Sequence, residues 1–166
     1  IVAAQEDTDS LTSMLEARYL AGNEDLAKKL ENMLAKRFFG RKARGFINSK
    51  VEERMRRHSR AGFSVQLIEP NIKESPGGLR DTHAVGWFLK ARRGLKAPEG
   101  LLEDHILTRR NHKLYVAALD FLLRTRNALH FHTQKPLDVL EHDLQPIVAE
   151  NLGYTDQDGG LGVEHF

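Results

Sequence analysis

Apolar residues along most of this chain return every three or four positions, and that spacing commits it to helices packed through their apolar faces. Leu26, Leu30, Met33 and Leu34 recur at i, i+4, i+7 and i+8, the stripe of an amphipathic helix. Leu11, Met14 and Leu15 mark an earlier helix, with Ser10 as its cap and Gly22-Asn23 closing it. Phe46, Ile47, Val51 and Met55 give a third helix with a thinner apolar face. The period then changes once: Phe63, Val65 and Leu67 alternate with Ser64 and Gln66, which reads as a short extended segment near 63–68. Helical spacing resumes from Leu79 through Lys90, with Val85, Trp87, Phe88 and Leu89, and Gly94 and Pro98 break it. Leu114, Ala118, Phe121, Leu122 and Leu129 define a long helix. Val139 through Leu152 define another, interrupted or started by Pro146, and Tyr154 to Gly160 is turn-rich. The expected fold class is all-α, a helical bundle with at most one short extended element.

The 166 residues suffice for one well-cored domain, or for one and a fragment of another. With no cysteine, disulfide scaffolds, thiol nucleophiles and Cys-based zinc sites are excluded, and a cytoplasmic setting fits. No apolar run approaches the roughly 18 residues that span a membrane. The start, Ile1-Val-Ala-Ala-Gln-Glu-Asp7, has neither an initiating Met nor signal-peptide order, and the end at Phe166 lacks a cap. Both ends read as cuts in something longer. Net charge is only +2, yet Lys36, Arg37, Arg41, Lys42, Arg44, Lys50, Arg54, Arg56, Arg57 and Arg60 crowd one region. Such a stripe can bind nucleic acid or a polyphosphate. A solvated helix face paired with Glu31, Glu52 and Glu53 is the favoured account, since only Phe38, Phe39 and Phe46 are interleaved as aromatics.

One segment concentrates the chemistry: Glu69-Pro-Asn-Ile-Lys-Glu-Ser-Pro-Gly-Gly-Leu-Arg-Asp81. Pro70 forces Glu69 into extended backbone, and Pro76 and Gly77-Gly78 punctuate the chain before the apolar helix at Leu79. Pro76 suits the first helical position and Ser75 the N-cap, so the expected order is extended segment, glycine-bearing loop, helix N-terminus. An N-terminus of this kind presents unpaired N–H groups and partial positive charge, a ready anion site. Lys73 and Arg80 flank it with full charges, Arg80 with a fork suited to phosphate oxygens. The plainer account is a tight turn needing positive φ, with Asp81 offsetting the helix dipole by ~0.3–1 kcal/mol. Neither a Walker loop nor a dinucleotide fingerprint is present. Eight histidines give no metal pattern: His130 and His132 face different sides of a helix, and His142-Asp143 lacks the further ligands of a phosphohydrolase centre. Arg126 and His130, one helical turn apart, can form a small polar cluster.

The segment from Glu69 to Asp81 closely resembles the Glu-Pro-Asn-x-Lys-Glu-Gly-Pro-Gly-Gly-Leu-Arg-Asp signature of the bacterial PII uridylyltransferase/uridylyl-removing enzymes, departing from it at Ser75. Glu16-Ala-Arg-Tyr-Leu-Ala-Gly22, Phe121-Leu-Leu-Arg-Thr-Arg-Asn-Ala-Leu-His130, Asp143-Leu-Gln145, Leu152-Gly-Tyr154 and Val163-Glu164 follow in the family's order. His142 does not fall where the family places its His-Asp pair.

The resemblance implies a helical domain of the nucleotidyltransferase substrate-binding type at 9–166, truncated at its C-terminal end. It also implies that 1–8 is the tail of a missing nucleotidyltransferase domain. It implies an enzyme that moves UMP from UTP to a tyrosine of the PII signalling protein in nitrogen regulation, with Mg²⁺ on Asp-x-Asp carboxylates outside this stretch. The isolated piece is then expected to be inactive. The implied partners are UTP, PII and the chain's own nucleotidyltransferase domain, with neither membrane nor nucleic acid among them. The implied binding residues are Lys73 and Arg80 toward the triphosphate or the catalytic domain. Gly77 and Gly78 would permit close backbone approach, and Asn71 and Glu69 would orient the loop or pair with Arg80. A glutamine-synthetase adenylyltransferase-like helical domain and a standalone basic nucleic-acid-binding module are the alternatives.

Overall fold

The computed structural model describes residues 8–60, 62, 64, 67–94, 98–156 and 160–166, with backbone only for Thr8, Arg37 and Lys42. The helical spacing yields an all-α fold. Among the described residues the α-helices are α1 (Thr8–Leu15), α2 (Glu24–Phe38), α3 (Arg44–Arg60), α4 (Leu79–Arg93), α5 (Glu99–Glu103), α6 (Arg109–Thr133), α7 (Gln145–Asn151) and α8 (Gly162–His165). Two 3-10 turns, Gly40–Ala43 and His142–Leu144, precede α3 and α7. The chain divides into two compact units, residues 1–56 with 83–112 and residues 57–82 with 113–166.

The core of the first unit gathers Leu11 and Leu15 from α1, Leu34 and Phe38 from α2, Ala43, Phe46 from α3, and Ala84, Trp87 and Ala91 from α4. Each large side chain removed from water there contributes roughly 1.5–3 kcal/mol. Trp87 turns its indole N–H onto Glu16 at 2.5 Å, which satisfies the one polar atom its burial would strand. Lys50 is buried too, paired with Asp9 at 3.0 Å and Glu53 at 2.7 Å and 5.5 Å from the Trp87 ring centroid. Burial thus removes Lys50 from the basic stripe expected to face solvent. The Leu26–Leu34 stripe is also only half used: Leu34 is buried, whereas Leu26 and Met33 stay exposed.

The second unit packs Ile72, Leu79, Leu129 of α6, Leu140 and Val148 of α7 into a separate core, flanked by Leu119, Leu122, Leu137, Leu152 and Phe166.

Several sequence expectations are corrected at helix ends. Ser10 lies inside α1, and that helix stops at Leu15, well before Gly22. Asn23 opens α2 rather than closing α1, its side-chain oxygen accepting the N–H groups of Asp25 and Leu26. Asn is a strong N-cap, and here that role prevails over the stop signal read from Gly-Asn. The helix expected from Val139 begins at Gln145, with Pro146 in its first turn, where a missing N–H costs nothing. Val139 instead forms an isolated antiparallel bridge with Asn71. The alternating stretch falls largely outside the described residues (63, 65 and 66), and Ser64, Leu67 and Ile68 belong to no strand.

Candidate functional site

The Glu69–Asp81 segment lies wholly in the second unit, and its shape follows from its own side chains. Asn71 builds the turn: its Oδ1 accepts the backbone N–H of Lys73 at 3.0 Å and of Glu74 at 2.7 Å. Ser75 closes the same turn from the other side, its hydroxyl oxygen accepting the Asn71 N–H at 3.0 Å. It is therefore a loop clasp and not the expected N-cap, and Pro76 lies in the following turn, because α4 starts only at Leu79. Gly77 takes φ +82°, the left-handed region where a side chain is strained. Gly78 is required for a different reason. A Cβ there would stand 2.7 Å from the Ile72 carbonyl oxygen and 2.9 Å from that of Ser75.

The first turn of α4 is closed by the loop itself. Gly78 N–H donates to Ser75 O, Leu79 N–H to Ile72 O, and Arg80 N–H to Lys73 O, at 2.8–3.0 Å. Gly77 N–H donates to the Asp81 carboxylate at 3.0 Å. Of the two readings of this segment, the tight turn with positive φ is the one built, and the anion site of unpaired helix N–H groups is not: the loop's own oxygens have taken those donors. Of the glycine pair, Gly78 serves close approach of the loop to itself and Gly77 its left-handed turn. Only side chains remain to meet an anion.

Those side chains are held in a dense ion-pair network. Arg80 Nε lies 3.3 Å from Glu74 Oε1, so its partner is Glu74 and neither Glu69 nor Asn71. Lys73 Nζ stands 4.0 Å from Glu74 Oε1 and 3.8 Å from Asp138 Oδ2. Both cations keep about a third of their side-chain surface in solvent, 34% for Arg80 and 37% for Lys73. Asp81 receives Arg57 Nη2 at 2.5 Å, and its second oxygen lies 2.8 Å from His58 Nε2. Arg57, read as part of a solvated stripe, is thus mostly buried beneath the loop. Glu69 Oε1 accepts the backbone N–H of His142 at 2.9 Å.

Asp138 is the group that the sequence did not announce. It follows α6 and receives Arg126 Nε at 2.6 Å and His130 Nε2 at 3.1 Å, completing the polar cluster anticipated from the i, i+4 spacing of Arg126 and His130. Burial pushes its carboxyl pKa up, but hydrogen bonds from Arg126 and His130 and the charges of Arg126 and Lys73 outweigh this and hold it below the ordinary value. Its backbone also straps the loop: Ile72 N–H donates to Asp138 O at 2.8 Å, and Leu140 N–H to Pro70 O at 2.9 Å. Tyr115 of α6 donates its hydroxyl to Thr82 O at 2.9 Å, and burial raises its pKa. On another side of the loop lies a groove of about 560 Å³, lined by Pro70, Ile72, Gly77, Leu122, Leu140 and Phe166 among others, and neither Lys73 nor Arg80 lines it. No group of three or more His, Asp or Glu side chains among the described residues is placed to hold a metal ion.

Comparison with known proteins agrees with the family suggested by the loop. The model of the family described as GlnD PII-uridylyltransferase matches residues 45–166. The bifunctional uridylyltransferase/uridylyl-removing enzyme of Phenylobacterium zucineum (strain HLK1) is 39% identical over 163 residues, 98% of this chain and 17% of that protein. The enzymes of the same name from Caulobacter vibrioides (strain NA1000 / CB15N) and Cereibacter sphaeroides are 37% and 40% identical, with the same coverage. The chain therefore spans about 17% of the length of the curated relatives it matches. No solved structure matches it. On the strength of a family match over most of its length, this chain belongs to the GlnD PII-uridylyltransferase family.

Proposed function

We propose that this chain is the helical part of an enzyme that transfers UMP from UTP to a tyrosine of a PII signalling protein, and that the Glu69–Asp81 loop forms one wall of its nucleotide cleft. The carrying observation is that a self-capped loop bearing the family signature leaves two cations, Lys73 and Arg80, partly in solvent. In the reaction the tyrosine hydroxyl gives up its proton to water, its oxygen bonds to the α-phosphorus of UTP, the bond from that phosphorus to the oxygen it shares with the β-phosphate breaks, and pyrophosphate leaves. Lys73 and Arg80 would bind triphosphate oxygens and offset the charge that gathers on the departing pyrophosphate. Asn71 would set the loop through its two backbone acceptor contacts, and Glu69 through His142. Gly77 and Gly78 would serve by letting the loop fold tightly enough to present them. Mg²⁺, when bound, supplies further charge neutralisation on the phosphates. The residues here do not fit it as ligands, because Glu74, Asp81 and Asp138 are each already engaged by arginine, so its carboxylates would lie elsewhere in a cytoplasmic, multidomain enzyme.

The test is transfer of label from UTP to PII by the complete enzyme carrying Lys73→Ala or Arg80→Ala. A charge-assisted contact of ~1.5–3 kcal/mol corresponds to a loss of roughly ten- to a hundredfold in each variant, with unchanged circular dichroism. Wild-type transfer by both variants overturns the assignment.

A further inference from the structure

We infer that Arg126 is a positioning residue that keeps Lys73 available to a polyphosphate by occupying the carboxylate of Asp138. The inference rests on the reading that Lys73 faces UTP. Lys73 stands between two carboxylates, and each is taken first by an arginine. Glu74 is 3.3 Å from Arg80 and 3.7 Å from Arg57. Asp138 is 2.6 Å from Arg126, with His130 at 3.1 Å on the same oxygen. Lys73 itself reaches neither within hydrogen-bonding distance, at 4.0 Å and 3.8 Å. The ammonium is therefore held at ion-pair distance by two partly neutralised anions, without a hydrogen bond to either.

The geometry makes Arg126 the element that decides this balance. Asp138 is mostly buried, so an unneutralised charge there would be costly, and it would recruit the nearest flexible cation. That cation is Lys73, whose four-carbon stem spans the remaining gap easily. Once a direct Lys73–Asp138 bond forms, an incoming triphosphate must break it before it can use the ammonium.

The experiment uses the complete enzyme and measures KM and kcat for UTP, with direct UTP binding by calorimetry. Arg126→Gln is expected to raise KM about tenfold with a smaller change in kcat. Adding Asp138→Asn to it removes the capturing carboxylate and is expected to restore KM to within about threefold of wild type, a rescue that a merely structural role of Arg126 does not produce. Equal KM in the single and double variants overturns the inference, as does an unchanged KM in Arg126→Gln. Should Arg126→Gln alone not fold, the uncharged double variant decides: KM within about threefold of wild type supports the inference and a larger rise overturns it. Lys73→Ala separates the two levels, since wild-type UTP binding by that variant removes the contact of Lys73 with UTP on which the inference rests.

Discussion

Replacing Gly78 by alanine tests the architecture of the loop at its tightest point. The new Cβ would stand 2.7, 2.9 and 3.0 Å from the carbonyl oxygens of Ile72, Ser75 and Lys73, all backbone atoms. Those three oxygens accept the N–H groups of Leu79, Gly78 and Arg80, so none can retreat without lengthening the bond that closes α4. Overpacking of this kind costs ~1–3 kcal/mol, and a weakened hydrogen bond adds about 1 kcal/mol, for a local cost of roughly 2–4 kcal/mol. At 1.4 kcal/mol per decade, hydrogen exchange of the Leu79 and Arg80 amides should accelerate roughly thirty- to a thousandfold. Gly77→Ala is the internal control. Its Cβ meets open space at φ +82°, so it carries only torsional strain of about 1–2 kcal/mol and should leave those two amides better protected. The measurement is exchange mass spectrometry or nuclear magnetic resonance on the complete enzyme. Unchanged protection in Gly78→Ala, or a larger loss in Gly77→Ala, would refute the close-approach argument.

Two further outcomes follow from the same loop. Asn71→Ala removes the acceptor for the Lys73 and Glu74 amides and should open the turn at a cost of about 1–2 kcal/mol, read as faster exchange at those two positions, whereas Asn71→Asp keeps the acceptor and should retain protection. Asp138 has a folded-state pKa below its unfolded value, so its stabilising contribution is complete above the ordinary carboxylate range and fades as pH falls through the lowered value. Acid unfolding followed by circular dichroism should therefore be less steep in Asp138→Asn than in the parent protein, and identical slopes would contradict the lowered pKa.

Helix content was legible because amphipathic spacing survives in the sequence whatever the tertiary arrangement. Helix ends were less so, since a cap depends on which backbone donors the fold leaves open. Asn23 and Ser75 show both failures: each is polar and turn-forming, and only the observed hydrogen bonds tell an opener from a closer or a clasp from a cap. The loop was found by its residue types, and its family by their order. Its network was not, because Asp81 meets Arg57 across 24 positions and Asp138 meets Lys73 across 65, and no local period records such pairs. The Pro-Gly-Gly order ahead of an apolar helix also misled about the helix N-terminus. Residue types permit open N–H groups there, and the folded backbone uses them.

The two backbone bonds that fasten the loop, Ile72 to Asp138 and Leu140 to Pro70, also set an order of assembly. They join residues about 70 positions apart, so the strap cannot close until the far side of α6 has been made. At ~5–20 residues per second, the loop leaves the ribosome roughly 3–14 s before its fastening exists. Closure of the strap then has to meet the entropy of joining distant ends. A nascent chain stopped short of Asp138 would carry the whole signature without the strap that fastens it.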